Sequence, residues 1–403
     1  MSRPKKKEID ESSLEGFKEL QAIKTLLKQL HNIGTERDKN GKRNLHMDEY
    51  CLLVLMWLFN PILDSLRALQ QASEFNKVQK RLGVGRASLG SLSESVAIFD
   101  PEPLAALAEE WSQKLPDRTP EAFDVIDKTI TAVDGSVFRI LSQVAELAWL
   151  PTGDGKSSCG YRLHAQFEVF RGSTARIDIT GANPKGEADE RKVLEKTLEG
   201  GRCYLMDRGY CKYALWNAIH AVDSEYVCRL GDKTPYRVIE KNALSGEAQA
   251  ASILSDQIVE LGSDGNSPDH KTRLVIVQVK PYDSRRDKNG GSGPNSDGYL
   301  RIITDNLEAP AEVIAALYQY RWTIELYFRI LKQLFGCRHL LSHQPHGVTI
   351  QIYLAIIACI MILALTGKMP SKRTYEMICF YLLGLVELEE LEAHLKKLKP
   401  KTP

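Results

Sequence analysis

The stretch LYQYRWTIELYFRILKQLF, residues 317–335, decides how the rest of the chain is read. Each residue of an α-helix turns about 100°, so Tyr318, Arg321, Trp322, Glu325, Arg329 and Lys332 share one face roughly 100° wide. Leu317, Ile324, Phe328, Leu331 and Phe335 lie on the adjoining face, which sets a buried stripe beside a polar one. The polar stripe holds one carboxylate, Glu325, among three cations and two aromatic rings. Such a face can be a solvated ladder of i,i+4 ion pairs, Arg321 to Glu325 and Glu325 to Arg329. It can equally serve nucleic acid, because rings beside Arg and Lys stack on bases and grip phosphates.

Upstream the texture is β. Thr129 to Val133 is a short β-branched run closed by Asp134-Gly135-Ser136, and Leu163 to Phe170 and Thr174 to Thr180 read as two further strands. A charged helix, Asp189 to Leu198, leads into a fourth strand, Cys203 to Met206, which ends at Asp207-Arg208-Gly209-Tyr210. A helix near Tyr213 to His220 and a fifth strand, Tyr226 to Leu230, complete the order β-β-β-α-β-α-β. One carboxylate therefore closes strand one and another closes strand four. Residues 232 to about 300 read as a β-rich insertion, with runs at Arg237–Lys241, Gln257–Leu261, Thr272–Lys280 and Tyr299–Ile303 and an exposed loop over 284–298. Helix returns after Leu307 as one amphipathic segment from Ala311 to about Phe335.

Residues 14 to about 120 read as helical. Leu14 to Leu30 carries apolar residues at a near-helical period, Glu49 to Phe59 continues the pattern, and Pro61 breaks it. Asp64 can cap a new helix through SLRALQQASEF, and Gly83, Gly85 and Gly90 punctuate the loop that follows. Between Pro61 and Gly90 stand five basic residues, Arg67, Lys77, Lys80, Arg81 and Arg86, against Asp64 and Glu74. This helix-turn-helix-sized unit is the candidate for sequence-specific DNA contact through Arg67, Lys80, Arg81 and Arg86; the alternative is a basic helical surface without a ligand. Ile350 to Leu365 is apolar apart from Gln351 and Tyr353, yet it is shorter than the roughly 20 residues a bilayer core requires. It predicts a buried core helix.

Composition bounds the function classes. The 403 residues include 53 Lys plus Arg against 52 Asp plus Glu, with 26% charged and 43% hydrophobic residues, which is globular and not disordered. A net charge of +1 excludes a uniformly basic nucleic-acid coat, so DNA binding has to rest on local charge. The eight cysteines form no CxxC pair, which indicates neither a disulfide framework nor a zinc ribbon and fits reduced, cytoplasmic thiols. The start, MSRPKKKEIDESS, runs into acidic residues instead of an apolar stretch and reads as a solvated tail.

The spacing of Tyr318, Arg321, Glu325 and Lys332 resembles the YREK signature of DDE transposases from bacterial insertion sequences, the "insertion sequence four" family. Asp134 in VDGS and Asp207 in MDRGY also stand in contexts similar to that family's, and the resemblance spans about residues 120 to 365. It implies an α/β ribonuclease-H-like catalytic core, a mixed five-stranded sheet with helices, carrying a β-rich insertion and an all-α N-terminal domain. The expected organisation is a helical DNA-binding domain over 1–120, core over 121–231, insertion over 232–304, core with the glutamate helix over 305–366, and a helical tail over 367–403. In that fold strands one and four are neighbours, so Asp134, Asp207 and Glu325 are the expected catalytic acids and metal ligands. Three adjacent carboxylates repel one another, and two Mg²⁺ ions, with Mn²⁺ able to substitute, would relieve this. Tyr318, Arg321 and Lys332 are expected to grip phosphates near the cleaved end, Trp322 to stack on a nucleotide there or to be a core side chain, Arg329 to lie against DNA, and His164 in RLHAQF to be a structural histidine or to lie near the site. Some relatives hold a flipped base on an insertion tryptophan. This chain has none between Trp216 and Trp322, and Tyr282 and Tyr299 are the rings available.

The implied function is cut-and-paste transposition in the bacterial cytoplasm: binding of terminal inverted repeats, hydrolysis at the transposon ends and joining of the 3′ hydroxyl to target DNA, with a homodimer in the synaptic complex and no membrane partner. The alternatives are a structure-selective nuclease of the same fold and a DNA-binding protein without catalysis.

Overall fold

In the computed structural model the residues described are 24–33, 38, 41, 43–60, 62–140, 149–150, 158–181, 186–263, 265–280, 297–334, 341–342, 344–369, 371–382 and 385–397. The chain divides into two compact units, one of residues 1–115, 138–146 and 328–402, the other of residues 116–137 and 147–327 with the final residue.

The first unit is helical. Its helices α1 (Met47–Phe59), α2 (Leu66–Ser73), α3 (Asn76–Leu82), α4 (Leu89–Ile98) and α5 (Glu102–Gln113) follow the expected pattern with two differences. The N-cap of α2 is Ser65, whose hydroxyl accepts from Ala68 N at 3.1 Å, and not Asp64. The stretch expected as one helix through Phe75 ends at Ser73, and a second helix starts at Asn76, because Phe75 is extended (ψ 131°). Gly83 closes α3 in the left-handed conformation (φ 65°), where a glycine carries no Cβ penalty. Of the run from Leu14, residues 24–30 are helical and 14–23 lie outside the described residues.

The second unit is built on one mixed sheet, of which only the end of the first strand, residues 138–140, belongs to the first unit. Its strands are β1 (Thr129–Ile140), β2 (Trp149–Leu150), β3 (Ser158–Glu168), β4 (Ser173–Gly181), β5 (Arg202–Met206), β6 (Glu225–Arg229), β7 (Tyr236–Lys241), β8 (Ile253–Leu261), β9 (Thr272–Gln278) and β10 (Tyr299–Thr304). Three helices interleave: α6 (Glu190–Lys196), α7 (Tyr213–Ala221) and α8 (Gly246–Ala250). The order is β2-β3-β1-β5-β6-β10-β9-β8-β7, with β4 also paired to β3, so ten strands form the sheet. The expected five strands, β4-β3-β1-β5-β6, are one part of it. The insertion does not stand apart, because β10 pairs antiparallel with β6 and satisfies an edge that would otherwise expose unpaired N–H and C=O groups. β1 and β5 are parallel, with Thr129 opposite Arg202, Ile130 opposite Cys203, Thr131 opposite Tyr204 and Ala132 opposite Leu205. β5 and β6 are also parallel. Such a pair requires a crossover, which α7 provides. Trp216 of α7 is fully buried and stacks on Tyr226 of β6 (5.0 Å, 13°), in a core with Tyr204, Met206, Leu230, Leu274 and Ile303.

The segment expected as one helix from Ala311 is two: α9 (Ala311–Tyr320) and α10 (Trp322–Leu334). They join at Arg321, whose N–H bonds to Tyr318 O at 3.2 Å, a tightened i→i−3 turn. The unit division falls within α10, between Tyr327 and Phe328. The first unit then continues through α11 (Pro345–Thr366), α12 (Lys372–Leu382) and α13 (Leu388–Lys397). Within it, α11 packs on α1, α4 and α5. Among the described residues α11 is the one helix long and apolar enough to cross a membrane, and 78% of its most apolar window is buried in protein, as expected of a core helix.

In the second unit, Arg273 of β9 is 4% exposed and forms a bidentate pair with Asp256 of β8, both bonds 2.8 Å, while its Nη1 donates to Ala309 O at 2.6 Å. It thereby fastens the insertion to the residues that enter α9. Arg273→Met leaves Asp256 buried without its cation and is expected to cost about 3–5 kcal/mol in urea unfolding, whereas adding Asp256→Leu should recover most of that loss. Equal stability of the single variant and wild type would contradict this account.

Candidate catalytic site at the ends of two parallel strands

The β1–β5 register sets the site. Asp134 and Asp207 each follow the last paired position, Ala132 opposite Leu205, by two residues, so the two acids leave adjacent strands at one level. β1 itself continues to Ile140, so Asp134 does not close its strand as expected; the pairing with β5 ends before it. Asp134 Oδ1 accepts from Gly135 N at 2.7 Å. Asp207 is extended (ψ −179°) and caps the turn that follows, its Oδ1 accepting from Gly209 N at 2.6 Å. These local bonds fix one oxygen of each carboxylate just beyond the β1–β5 pairing.

Burial pushes the Asp134 carboxyl up to about 7; the Gly135 N–H opposes this, the negative charges of Asp207 and Glu190 add to it, and Arg321 opposes it. Arg321 is 7% exposed. Its Nη1 lies 2.9 Å from Glu325 Oε1, its guanidinium sits 5.2 Å from the Trp322 ring and 6.0 Å from that of Tyr318, and its buried Nε–H meets no acceptor among the described residues. Arg321 therefore links Glu325 electrostatically to Asp134. The Arg321–Glu325 pair belongs to both readings of this face, with its arginine buried and the Glu325 side chain 31% exposed. Tyr318 is buried and its hydroxyl is pushed up to about 12, chiefly by burial. Trp322 is 56% exposed and so is not a core side chain. Among the described residues, Asp134, Asp207 and Glu325 do not bring three carboxylate oxygens within 4.8 Å of one another.

Three groups missed by sequence reasoning surround Asp134. Glu190, at the first turn of α6, pairs with Arg162 of β3, and its carboxylate fills the space beside Gly135 where a Cβ would stand. Tyr210 of the MDRGY stretch is buried, and its hydroxyl is pushed well up by burial and then by Glu190, Asp134 and Asp207. Asp178 of β4 shares with Asp134, His164, Glu190 and Tyr210 the lining of one small pocket. Tyr210 was legible as part of a motif. Glu190 and Asp178 lay in ordinary charged contexts that only pairing of β3 with β4 and packing of α6 bring to the site.

His164 itself is 6% exposed, with Nε2 2.8 Å from Thr180 Oγ1. The other candidates fall in the first unit: Lys332 Nζ lies 5.5 Å from the Phe138 ring, Arg329 is exposed, and Arg67, Lys80, Arg81 and Arg86 are exposed on or after α2 and α3. Arg86 pairs with Glu74 at 2.8 Å, which offsets part of the local positive charge. Tyr299 is 39% exposed, and Tyr282 and the 284–296 part of the loop lie outside the described residues.

Two carboxylates thus leave the β1–β5 pairing at one level, and a third, on a later helix, is paired with a buried arginine whose charge also bears on Asp134. Residues 126–361 match the family described as Transposase DDE domain, and the chain belongs to that family. It is similar to the putative transposase y4zB of Sinorhizobium fredii, 29% identical over 203 residues, 49% of this chain and 51% of that protein. It is also similar to the probable transposase for insertion sequence element IS5377 of Geobacillus stearothermophilus, 24% identical over 247 residues, 61% of this chain and 57% of that one. The chain thus matches just over half the length of these curated relatives. A solved structure of the piggyBac transposase synaptic complex with hairpin DNA aligns over 98% of this chain and 88% of its own, at 11% identity and a TM-score of 0.42.

Burial, followed by the Arg162 charge, pushes His164 down to about 4. Since that lies below the histidine's ordinary value of 6.5, its contribution to stability is complete above pH 6.5 and is lost as pH falls towards 4. His164→Gln should therefore show a shallower decline of urea-unfolding stability over that window, by up to about 1.4 kcal/mol per pH unit. Identical slopes for the two proteins would contradict the neutral, buried histidine.

Proposed function

We propose that this chain is a metal-dependent DNA transposase of the YREK-bearing insertion-sequence kind, with a ribonuclease-H-like core, which cleaves transposon ends and joins the 3′ hydroxyl to target DNA. The single observation that carries this reading is the register that sets Asp134 level with Asp207, together with the buried Arg321 that links Glu325 to Asp134. The donor set is oxygen only, which fits a Mg²⁺ site, and the Asp134 carboxyl is raised first by burial and then by the negative charges of Asp207 and Glu190. When bound, divalent cations would activate the attacking oxygen and stabilise the leaving one.

The protein's own groups do the rest. Asp134 and Asp207, oriented by the bonds their Oδ1 atoms accept from Gly135 N and Gly209 N, would hold the cations through their remaining lone pairs. Arg321 holds Glu325 through its Nη1, 2.9 Å from Glu325 Oε1, and keeps a positive charge beside Asp134. The exposed Trp322 ring can stack on a base next to the cleaved bond, and Tyr318, beside Arg321, is the second ring assigned to that DNA end. The basic surface of α2 and α3 is assigned to terminal-repeat recognition, with Arg67, Lys80 and Arg81 on the DNA side.

With a DNA bearing the element's terminal inverted repeats and Mg²⁺, the wild type is expected to cut at the ends and to join a precut 3′ end to target DNA. Asp134→Asn, Asp207→Asn and Glu325→Gln should each abolish both reactions while end binding in a gel-shift assay is retained. Arg321→Ala should slow cleavage by roughly 10²–10³-fold. Retained cleavage in any one of the three acid variants would overturn the triad, and cutting without joining would assign a nuclease instead.

A further inference from the structure

A second cluster of ligand-type side chains lies at the opposite end of the sheet from Asp134 and Asp207. Asp305 directly follows β10, and since Thr304 opposes Val227 in an antiparallel pair, Asp305 arrives beside Tyr226 at the start of β6. Tyr226 N donates to its Oδ1 at 2.9 Å. β6 runs parallel to β5, so the start of β6 is the end remote from Asp207. His220, in the last turn of α7, places Nδ1 3.0 Å from Asp305 Oδ2. His270, two residues before β9, stacks its ring on that of His220, centroids 4.3 Å apart and planes 19° apart. One ligand atom from each of the three residues lies within 4.8 Å of the others.

The geometry points to a transition-metal site, of the zinc type, formed by His220, His270 and Asp305. Two imidazoles and one carboxylate are a nitrogen-rich donor set that suits Zn²⁺ and its neighbours, whereas the oxygen-only set at Asp134 and Asp207 suits Mg²⁺. With metal–ligand bonds of about 2.0–2.1 Å, neighbouring ligand atoms around a tetrahedral ion stand roughly 3.3 Å apart. His220 Nδ1 and Asp305 Oδ2 are already near that spacing at 3.0 Å, and the His270 ligand atom stands within 4.8 Å of theirs, its ring having to turn out of the stack on His220 for its lone pair to meet the ion. The supporting bonds are those a metal site uses. His270 Nδ1 faces Asp269 Oδ1 at 2.9 Å, a carboxylate–histidine arrangement that fixes the ring and leaves Nε2, now 3.1 Å from the Tyr226 hydroxyl, for the ion. Asp305, with a side chain 1% exposed, is steadied by the Tyr226 N–H and keeps its second oxygen for the ion, while the His220 side chain, 52% exposed, gives the ion a path from solvent.

An ion there would tie α7, the start of β9 and the end of β10 together. The next residues are fixed as well, with Asn306 Nδ2 bonded to Glu225 and Asn306 Oδ1 accepting from Ala309 N, so the clamp sits at the entry to α9 and α10. Its role is structural, and it does not depend on the proposed chemistry at the other end of the sheet.

The test uses the full chain, stripped with a chelator and titrated with Co²⁺. The expected result is one equivalent with visible d–d bands of a low-coordinate nitrogen–oxygen site, displaced by Zn²⁺ but not by millimolar Mg²⁺, and a rise in Tm on adding Zn²⁺. Bands and Tm rise should both vanish in His220→Gln and His270→Gln and persist in Asp134→Asn. His220 is half exposed, so its substitution leaves a folded protein whose circular dichroism matches the wild type. Absence of bands in wild type, bands that survive both histidine variants, bands lost in Asp134→Asn, or a sulfur-to-cobalt charge-transfer band from the cysteines would each overturn the site.

Discussion

The parallel pairing of β1 with β5 is the constraint on which the site depends. A strand alternates its side chains between faces, so a slip of one residue in that register would send Asp134 to the wrong face or past Asp207 by a full residue step. The pairing from Thr129–Arg202 to Ala132–Leu205 fixes both acids at one level. The register is in turn held by what surrounds it. Thr129 N bonds to Gly201 O at 2.9 Å, and on the other side of β5 the buried stack of Trp216 on Tyr226 keeps the α7 crossover against β6. Buried apolar packing thus determines where two mutually repelling charges stand.

Those charges then shape everything near them. Asp134 is held at about 7 mainly by burial and next by like charge, and Arg321 is the cation that works against this. Because Arg321 also bonds Glu325, the tight turn at the α9–α10 junction positions one guanidinium between acids from distant parts of the chain. Arg273, bonded at once to Asp256 and to Ala309 O, fastens the residues leading into that junction to the insertion strands. The insertion is therefore part of the same sheet and of the same support, through β10 against β6.

Much of this was legible in the sequence. β-branched and alternating runs gave the strand and helix order from Thr129 to Leu230, and the carboxylates at Asp134 and Asp207 stood out because each ends an apolar run before a glycine. The 100° period placed Tyr318, Arg321 and Glu325 on one face, though it could not reveal the turn at Arg321, since that residue keeps helical backbone angles (φ −52°, ψ −32°). What the sequence could not supply were contacts set by strand pairing at long separation. Glu190 beside Gly135, the Arg273–Asp256 pair and the meeting of His220, His270 and Asp305 each join residues whose spacing carries no signal. The continuity of the insertion with the core sheet was hidden for the same reason: a run such as Tyr299–Thr304 shows that it is a strand, not which edge it joins.

On the proposed reading, Asp134, Asp207 and Glu325 surround one divalent-cation site. Iron-mediated hydroxyl-radical cleavage of the protein backbone tests it most directly, because Fe²⁺ in a Mg²⁺ site cuts the chain only nearby. The expected result is cutting near residues 134, 207 and 325 that Mg²⁺ suppresses and Asp134→Asn removes. Cutting confined to the neighbourhood of 220, 270 and 305, or cutting at 134 and 207 that never includes 325, would contradict it.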